Sequence, residues 1–132
     1  MRISEVERRA LEYVMKLERD AGRDPQDVHT QRRPYDIDSP PRKIEVKAYG
    51  GSARGGLLPL EESQVREAQD DPENFCVYVV DNIALAANGE GEMKVHVLRG
   101  RTLQDLLAGV KPRLTYWPTL RVSVYDDAEQ MP

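Results

Sequence analysis

Apolar residues recur along the chain with two periods, one typical of helices and one typical of strands. Residues 4–20 predict an amphipathic helix, because their apolar members return every three or four positions. These members are Val6, Ala10, Tyr13, Val14 and Leu17. Ser4 is a suitable N-cap for this helix and Gly22 a suitable stop.

The remaining pattern predicts an alternation of short strands and helices. Strands are predicted at 27–30, 35–39, 44–48, 57–60, 75–80, 93–98 and 119–125, and helices at 61–69 and 102–108. The run at 75–80 is almost continuously apolar, which is typical of a strand buried on both faces. Residues 50–56 predict a glycine-rich loop and 81–92 a polar turn. This order predicts an α/β fold with a central mixed sheet flanked by helices.

Two of the predicted strands carry acids and a lysine. Residues two apart on a strand point to the same side, so Glu45 and Lys47 share a face. If residues 35–39 and 44–48 pair as a hairpin, Asp36 lies beside Glu45. Paired carboxylates suit a hard divalent cation, and a nearby lysine suits phosphodiester chemistry. The alternative is an exposed ion pair worth about 0–1 kcal/mol.

Six motifs occur in an order that resembles a known superfamily. They are Glu7-Arg8-Arg9-Ala10, Gly22-Arg23, Tyr35-Asp36-Ile37, Ile44-Glu45-Val46-Lys47, Gln64 to Ala68 and Val77-Tyr78-Val79-Val80. Together they resemble the PD-(D/E)XK nucleases, and more narrowly the family named for the C-terminal part of the plant NO VEIN protein. The resemblance covers roughly residues 4–82. It implies a restriction-endonuclease-like sheet within one nuclease-like domain spanning residues 1–132.

The resemblance also implies a chemistry and its residues. It implies an endonuclease that hydrolyses phosphodiesters, with DNA a better candidate substrate than RNA. Asp36 and Glu45 would bind Mg²⁺ or Mn²⁺, with the Val46 carbonyl as a further ligand. Lys47 would lie at the attacking water. In the alternative interpretation these side chains form a structural ion network, and the domain is a non-catalytic module that binds nucleic acid or a partner protein.

Four further residues have two interpretations each. Glu7 falls where the superfamily often carries a glutamate near the metal, but a first-turn glutamate also suits the helix dipole. Gln64 stands where the family usually carries Glu. Asp38 shares a strand face with Asp36, but it does not match the motif. His29 could lie near the site, but a lone histidine more often has a surface or structural role.

Basic residues are densest around the predicted hairpin. The patch consists of Arg32, Arg33, Arg42 and Lys43. It could bind phosphates or form a solvated rim. Arg54 could fold over a phosphate, although its glycine-rich surroundings favour a mobile connection. Trp117 could stack on a base, but a core or interface position is more typical of tryptophan.

Composition limits the classes of protein that fit. A net charge of −4 argues against a dedicated non-specific nucleic-acid binder, so any DNA contact is expected to be local. The sequence has no membrane-length apolar run, and the stretch from Met1 to Glu5 lacks a signal peptide's apolar core. The single cysteine, Cys76, is predicted to be a buried thiol. We expect a cytoplasmic protein that acts alone, as a homodimer or within a larger assembly.

Overall fold

A single mixed sheet organises the computed structural model, which describes residues 3–132; Met1 and Arg2 lie outside the described residues. The strands are β1 (Gln26–Asp27), β2 (Ile37–Ser39), β3 (Arg42–Ala48), β4 (Phe75–Asp81) and β5 (Lys94–Leu98). They lie in chain order across the sheet. β3 and β4 are parallel, and the other neighbours are antiparallel.

Helices flank this sheet on both faces, which confirms the predicted α/β fold. They are α1 (Glu5–Asp20), α2 (Glu62–Asp70), α3 (Ile83–Ala87) and α4 (Gly100–Leu107); a further helix, α5 (Val122–Asp127), has no buried residue. α1 and α3 pack on one face, whereas α2 and α4 pack on the other. α2 lies in the crossover between β3 and β4, the connection that parallel neighbours require. No helix within residues 3–132 is long and apolar enough to span a bilayer.

α1 has the ends that its sequence predicts. Ser4 and Glu7 form a capping box, in which the Ser4 hydroxyl accepts the Glu7 N–H at 3.1 Å and the Glu7 carboxylate accepts the Ser4 N–H at 3.3 Å. Gly22 follows the helix with a φ of +86°, a left-handed conformation that favours glycine. The buried stripe of this helix includes Ala10 and Val14.

The sheet separates two apolar cores. The first core, between the sheet and α1, consists of Ala10, Leu11, Val14, Ile37, Ile44, Cys76, Tyr78, Val80 and Ile83. The second core, on the opposite face, consists of Val28, Tyr35, Ala68, Phe75, Val77, Val79 and Leu103. Because β4 contributes alternate residues to both cores, all seven of its residues are buried. The predictions of a strand buried on both faces and of a buried Cys76 are confirmed.

Four local predictions differ from the structure. The first strand ends at Asp27, because the chain turns as the Gln31 N–H donates to the Val28 carbonyl. Residues 57–60, which include Pro59, form no strand. The predicted polar turn at 81–92 contains α3. Residues 119–125, predicted as a strand, have no neighbouring strand and instead enter the short helix α5.

A buried glutamate joins α1 to the sheet. The Glu18 side chain is 2% exposed and accepts hydrogen bonds from Arg23 at 2.6 and 2.8 Å. Ser39 and Tyr78 also donate to it, each at 3.0 Å. Burial raises the pKa of Glu18, but these hydrogen bonds outweigh burial and hold the pKa below its usual value. Glu18 is therefore a satisfied structural carboxylate.

We expect Glu18→Ala to lower the free energy of unfolding by about 3–5 kcal/mol, because it leaves the Arg23 guanidinium without its partner. Glu12→Ala is the matched control on the same helix, since Glu12 is exposed and pairs with Arg8 at the surface. This control should cost about 1 kcal/mol or less. Urea unfolding followed by circular dichroism measures both, and equal losses would contradict the structural role of Glu18.

Candidate functional site

The β2–β3 hairpin sets the register of the candidate site. Ile37 pairs with Ile44, and the Asp36 N–H donates to the Ile44 carbonyl at 2.9 Å. This register places Asp36 opposite Glu45, which confirms the predicted pairing of the hairpin. β2 pairs only with the first half of β3. Beyond Ile44 the two backbone segments diverge. We call this point the fork.

The Asp36 side chain replaces backbone pairing at the fork. Its Oδ2 accepts the Val46 N–H at 2.9 Å. The N–H and C=O groups of one strand residue point towards the same neighbour, so the Val46 carbonyl also points to the Asp36 side of β3. Two carboxylates and one backbone carbonyl are therefore available around the fork, together with space for water.

Glu45 and Lys47 lie side by side on the opposite face of β3 from Val46. The Lys47 Nζ lies 3.1 Å from Glu45 Oε2, and the two side chains are 18% and 7% exposed. Such burial gives this ion pair a much lower local dielectric than a surface pair has. The geometry thus differs from the exposed pair that the sequence left open as the alternative.

The two carboxyl groups at the fork strongly influence one another. Burial raises the pKa of Glu45, and the neighbouring Asp36 carboxylate raises it further, to about 8. Burial also raises the pKa of Asp36. The groups are close enough to share a hydrogen bond when one is protonated. A pair of acids that resists ionisation in this way favours any cation that offsets the second negative charge.

The donor set is small. No group of three or more His, Cys, Asp and Glu side chains is arranged to hold a metal ion within residues 3–132. Magnesium, however, keeps several waters and uses one or two protein carboxylates. Asp36, Glu45 and the Val46 carbonyl fit this pattern, whereas a site made of side chains alone does not.

Glu7 and His29 reach the fork from the α1 side. Together with Asp36 and Val46 they line a cavity of about 40 Å³, large enough for a few waters. Glu7 completes the capping box of α1 and also lines this cavity; a role near a metal stays a prediction. Asp38 instead lies 3.5 Å from Arg33 in a surface ion pair.

His29 lines the cavity, and its ring is held by a neighbouring acid. Its Nδ1 lies 2.5 Å from Asp27 Oδ1, and its backbone N–H donates to the same oxygen at 3.0 Å. This contact fixes the ring and leaves Nε2 for other partners. The spacing Asp27-x-His29 was the available signal, because residues two apart at a strand end share a side.

Gln64 lies against the lysine. Its Oε1 lies 3.5 Å from the Lys47 Nζ and accepts the Glu61 N–H at 2.9 Å. The amide is 8% exposed and belongs to the first turn of α2. A neutral amide thus keeps the lysine in position without adding a third negative charge to the fork.

The basic residues named from the sequence do not form one patch. Lys43 shares the Glu45 face and pairs with Glu67 at 2.7 Å and Asp71 at 3.0 Å. Arg42 points to the other face and donates to the Tyr78 hydroxyl at 2.5 Å. The sheet therefore separates these two cations, and each already has a partner.

Arg32, Arg33 and Arg54 lie on exposed segments. Arg33 has Asp38 as its partner, and no ion pair of Arg32 or Arg54 is found within residues 3–132. The loop that carries Arg54 is held to the sheet, because the Ala53 N–H donates to Asp81 Oδ2 at 3.0 Å. Three arginines therefore remain accessible to an anionic partner.

A family model described as "Protein NO VEIN, C-terminal" matches residues 6–96. The chain belongs to this family. The match begins in α1 and ends in β5, so it contains the whole fork. No curated protein and no solved structure matches the sequence. The NO VEIN C-terminal match excludes α4 and α5, which follow the last matched residue.

Glu45 should make the stability of the metal-free protein depend on pH. The folded state keeps a proton that the unfolded state releases between pH 4.5, the ordinary pKa, and about 8. Stability should therefore fall as pH rises through this window and level off above it. Glu45→Gln removes the ionisable group, so it should flatten this decline and stabilise the protein at the alkaline end.

Urea unfolding in the presence of EDTA across that pH range measures the slope. Glu62→Gln is the control, because the Glu62 side chain is 84% exposed and should leave the slope unchanged. A Glu45→Gln protein with the wild-type slope would show that the fork does not hold a proton.

Proposed function

We propose that this member of the NO VEIN C-terminal family is a divalent-cation-dependent phosphodiesterase, an endonuclease of the PD-(D/E)XK type acting on DNA. The observation that carries the proposal is the fork itself. There the hairpin register brings Asp36 beside Glu45, the two carboxyl groups influence each other's pKa, and Lys47 lies 3.1 Å from Glu45. Two acids and one ammonium group lying close together support a cation-dependent hydrolysis of phosphodiesters.

The chemistry of the donor set supports Mg²⁺ or Mn²⁺ at the fork. Asp36 and Glu45 would hold the ion with the Val46 carbonyl, and water would complete the coordination. When bound, such an ion polarises a phosphoryl oxygen and lowers the pKa of a water molecule. The raised pKa values of the two acids favour the exchange of a shared proton for a cation.

Lys47 would act on the phosphate and the attacking water. Its ammonium group is held between the Glu45 carboxylate and the Gln64 amide, so little ordering is needed when substrate binds. A fixed positive charge beside the scissile phosphate would stabilise the negative charge that develops during hydrolysis. The ammonium donors can also orient a water towards phosphorus.

Glu7 and His29 would assist from the cavity on the α1 side. Asp27 holds the His29 ring through Nδ1, so Nε2 can accept from, or donate to, a water or a substrate oxygen. The Glu7 carboxylate can accept a hydrogen bond from a water in the same cavity. Both are positioned to order solvent around Asp36 without occupying the fork.

DNA contact would be local, because the chain carries a net charge of −4. Of the basic residues near the hairpin and the glycine-rich loop, Arg32, Arg33 and Arg54 are exposed and would contact phosphates. Lys43 and Arg42 would contribute less, since Glu67, Asp71 and Tyr78 already hold their charged groups. Binding should therefore depend on the cation at the fork as well as on the arginines.

Asp36→Ala should abolish both tight Mn²⁺ binding and cleavage, with activity at least about a hundredfold lower. Asp38→Ala is the matched control, because it removes an acid two residues away that pairs with Arg33 instead of facing the fork. Calorimetric titration of Mg²⁺ or Mn²⁺ measures binding. Nicking of supercoiled plasmid and cutting of single-stranded DNA and RNA measure cleavage.

The outcomes separate the proposal from its alternative. Metal-dependent cleavage that is lost in Asp36→Ala and kept in Asp38→Ala supports the nuclease. A folded wild-type protein that neither binds the cation nor cleaves any of these substrates would sink the proposal. In that case the non-catalytic module, with the fork as an ion network, would be the better account.

A further inference from the structure

The C-terminal segment after α4 has no buried residue. All residues from 108 to 132 are exposed. The large apolar side chains in this segment are Val110, Leu114, Tyr116, Trp117, Leu120, Val122, Val124, Tyr125 and Met131, with exposures from 47% to 89%. A segment that exposes this many large apolar side chains to water is typical of a surface that binds another macromolecule.

Residues 119–125, which we call the arm strand, have the pattern of a strand without a sheet. Leu120, Val122 and Val124 alternate with Arg121 and Ser123. In the structure the second half of this stretch forms α5, a helix of six residues with no buried side chain. A lone strand has no hydrogen-bonding neighbour, so the strand pattern can be used only at the edge of an existing sheet.

The edge strand β5 has the same alternation of apolar and polar side chains as the arm strand. β5 pairs with β4 on one side, and no strand of residues 3–132 pairs with its other side. Val95 packs against the first core, and Val97, on the same face, is 40% exposed. Lys94 and His96 point to the opposite face. Open edges of this kind pair readily with another chain.

We propose that the arm strand of one copy adds to the β5 edge of a second copy, and that the exchange is reciprocal. Leu120, Val122 and Val124 would extend the apolar row begun by Val95 and Val97. Arg121 and Ser123 would lie on the opposite face, which carries Lys94, His96 and, packed against the second core, Leu98. Each copy has one arm strand and one open β5 edge, so the exchange closes under two-fold symmetry. The inference does not depend on the chemistry at the fork.

A second copy fits the observations better than the chain's own edge or a nucleic acid. The arm strand is exposed in its own chain, so it leaves its own β5 uncovered. Residues 108–118 connect α4 to the arm strand and can extend to about 36 Å, enough to reach a neighbouring molecule. A nucleic acid could stack on Trp117 and bind the basic residues. It has no apolar surface that would bury the three alternating aliphatic side chains.

The oligomeric state of the full chain tests the proposal. Light scattering after size exclusion, from about 1 to about 100 µM, should show a concentration-dependent dimer. Val122→Asp combined with Val124→Asp should weaken the dimer at least about a hundredfold, because it buries unpaired charge in the apolar row. Ser123→Asp adds charge to the same strand on its polar face and should leave the dimer intact. Circular dichroism should show the signal of the folded domain in all variants, since these residues are exposed in the single chain.

A cross-link identifies the partner edge. Val97→Cys and Val122→Cys, made in separate chains that also carry Cys76→Ala, can form a mixed disulfide only between copies. Mixing them under oxidising conditions should give a disulfide-linked dimer, and replacing Val122→Cys by Ser123→Cys should not. A monomer throughout the concentration range would overturn the proposal. So would a wild-type monomer that binds single-stranded DNA and loses that binding in Trp117→Ala.

Discussion

The hydrogen bond from the Val46 N–H to the Asp36 carboxylate is the contact on which the fork depends. β2 stops pairing there, and a strand N–H left without an acceptor costs free energy. The Asp36 side chain supplies the missing acceptor, and in doing so it is held beside Glu45. The group that completes the sheet therefore also creates the acidic pair.

Two buried glutamates lie on opposite faces of the sheet, and their surroundings distinguish a structural carboxylate from a candidate functional one. Glu18 and Glu45 are 2% and 5% exposed. Glu18 is surrounded by donors, so its pKa lies below the usual value, whereas Glu45 faces another carboxyl and its pKa rises to about 8. The hydrogen bonds around Glu18 stabilise its charge, whereas Glu45 has an unfavourable acidic neighbour. Glu45 is therefore the candidate for a functional role.

The sequence predicted most strongly what depends on local pattern. The helical period of residues 4–20 predicted α1, and the apolar run at 75–80 predicted β4. The predicted hairpin placed Asp36 opposite Glu45. Contacts between residues distant in sequence could not be predicted from local pattern. The separation of Arg42 from Lys43 by the sheet, the approach of His29 and the contact between Gln64 and Lys47 depend on packing. The strand predicted at 119–125 was wrong, because an alternating pattern forms a strand only where another strand lies beside it.

The order of the strands keeps the two proposals compatible. β5 is two strands away from β3, so an arm strand added to the β5 edge would lie about 14 Å from β3, three strand spacings away. The fork opens on the opposite side of β3, next to β2. Pairing at β5 would therefore leave the fork accessible, and a two-fold dimer would present two such forks to the two antiparallel strands of a duplex.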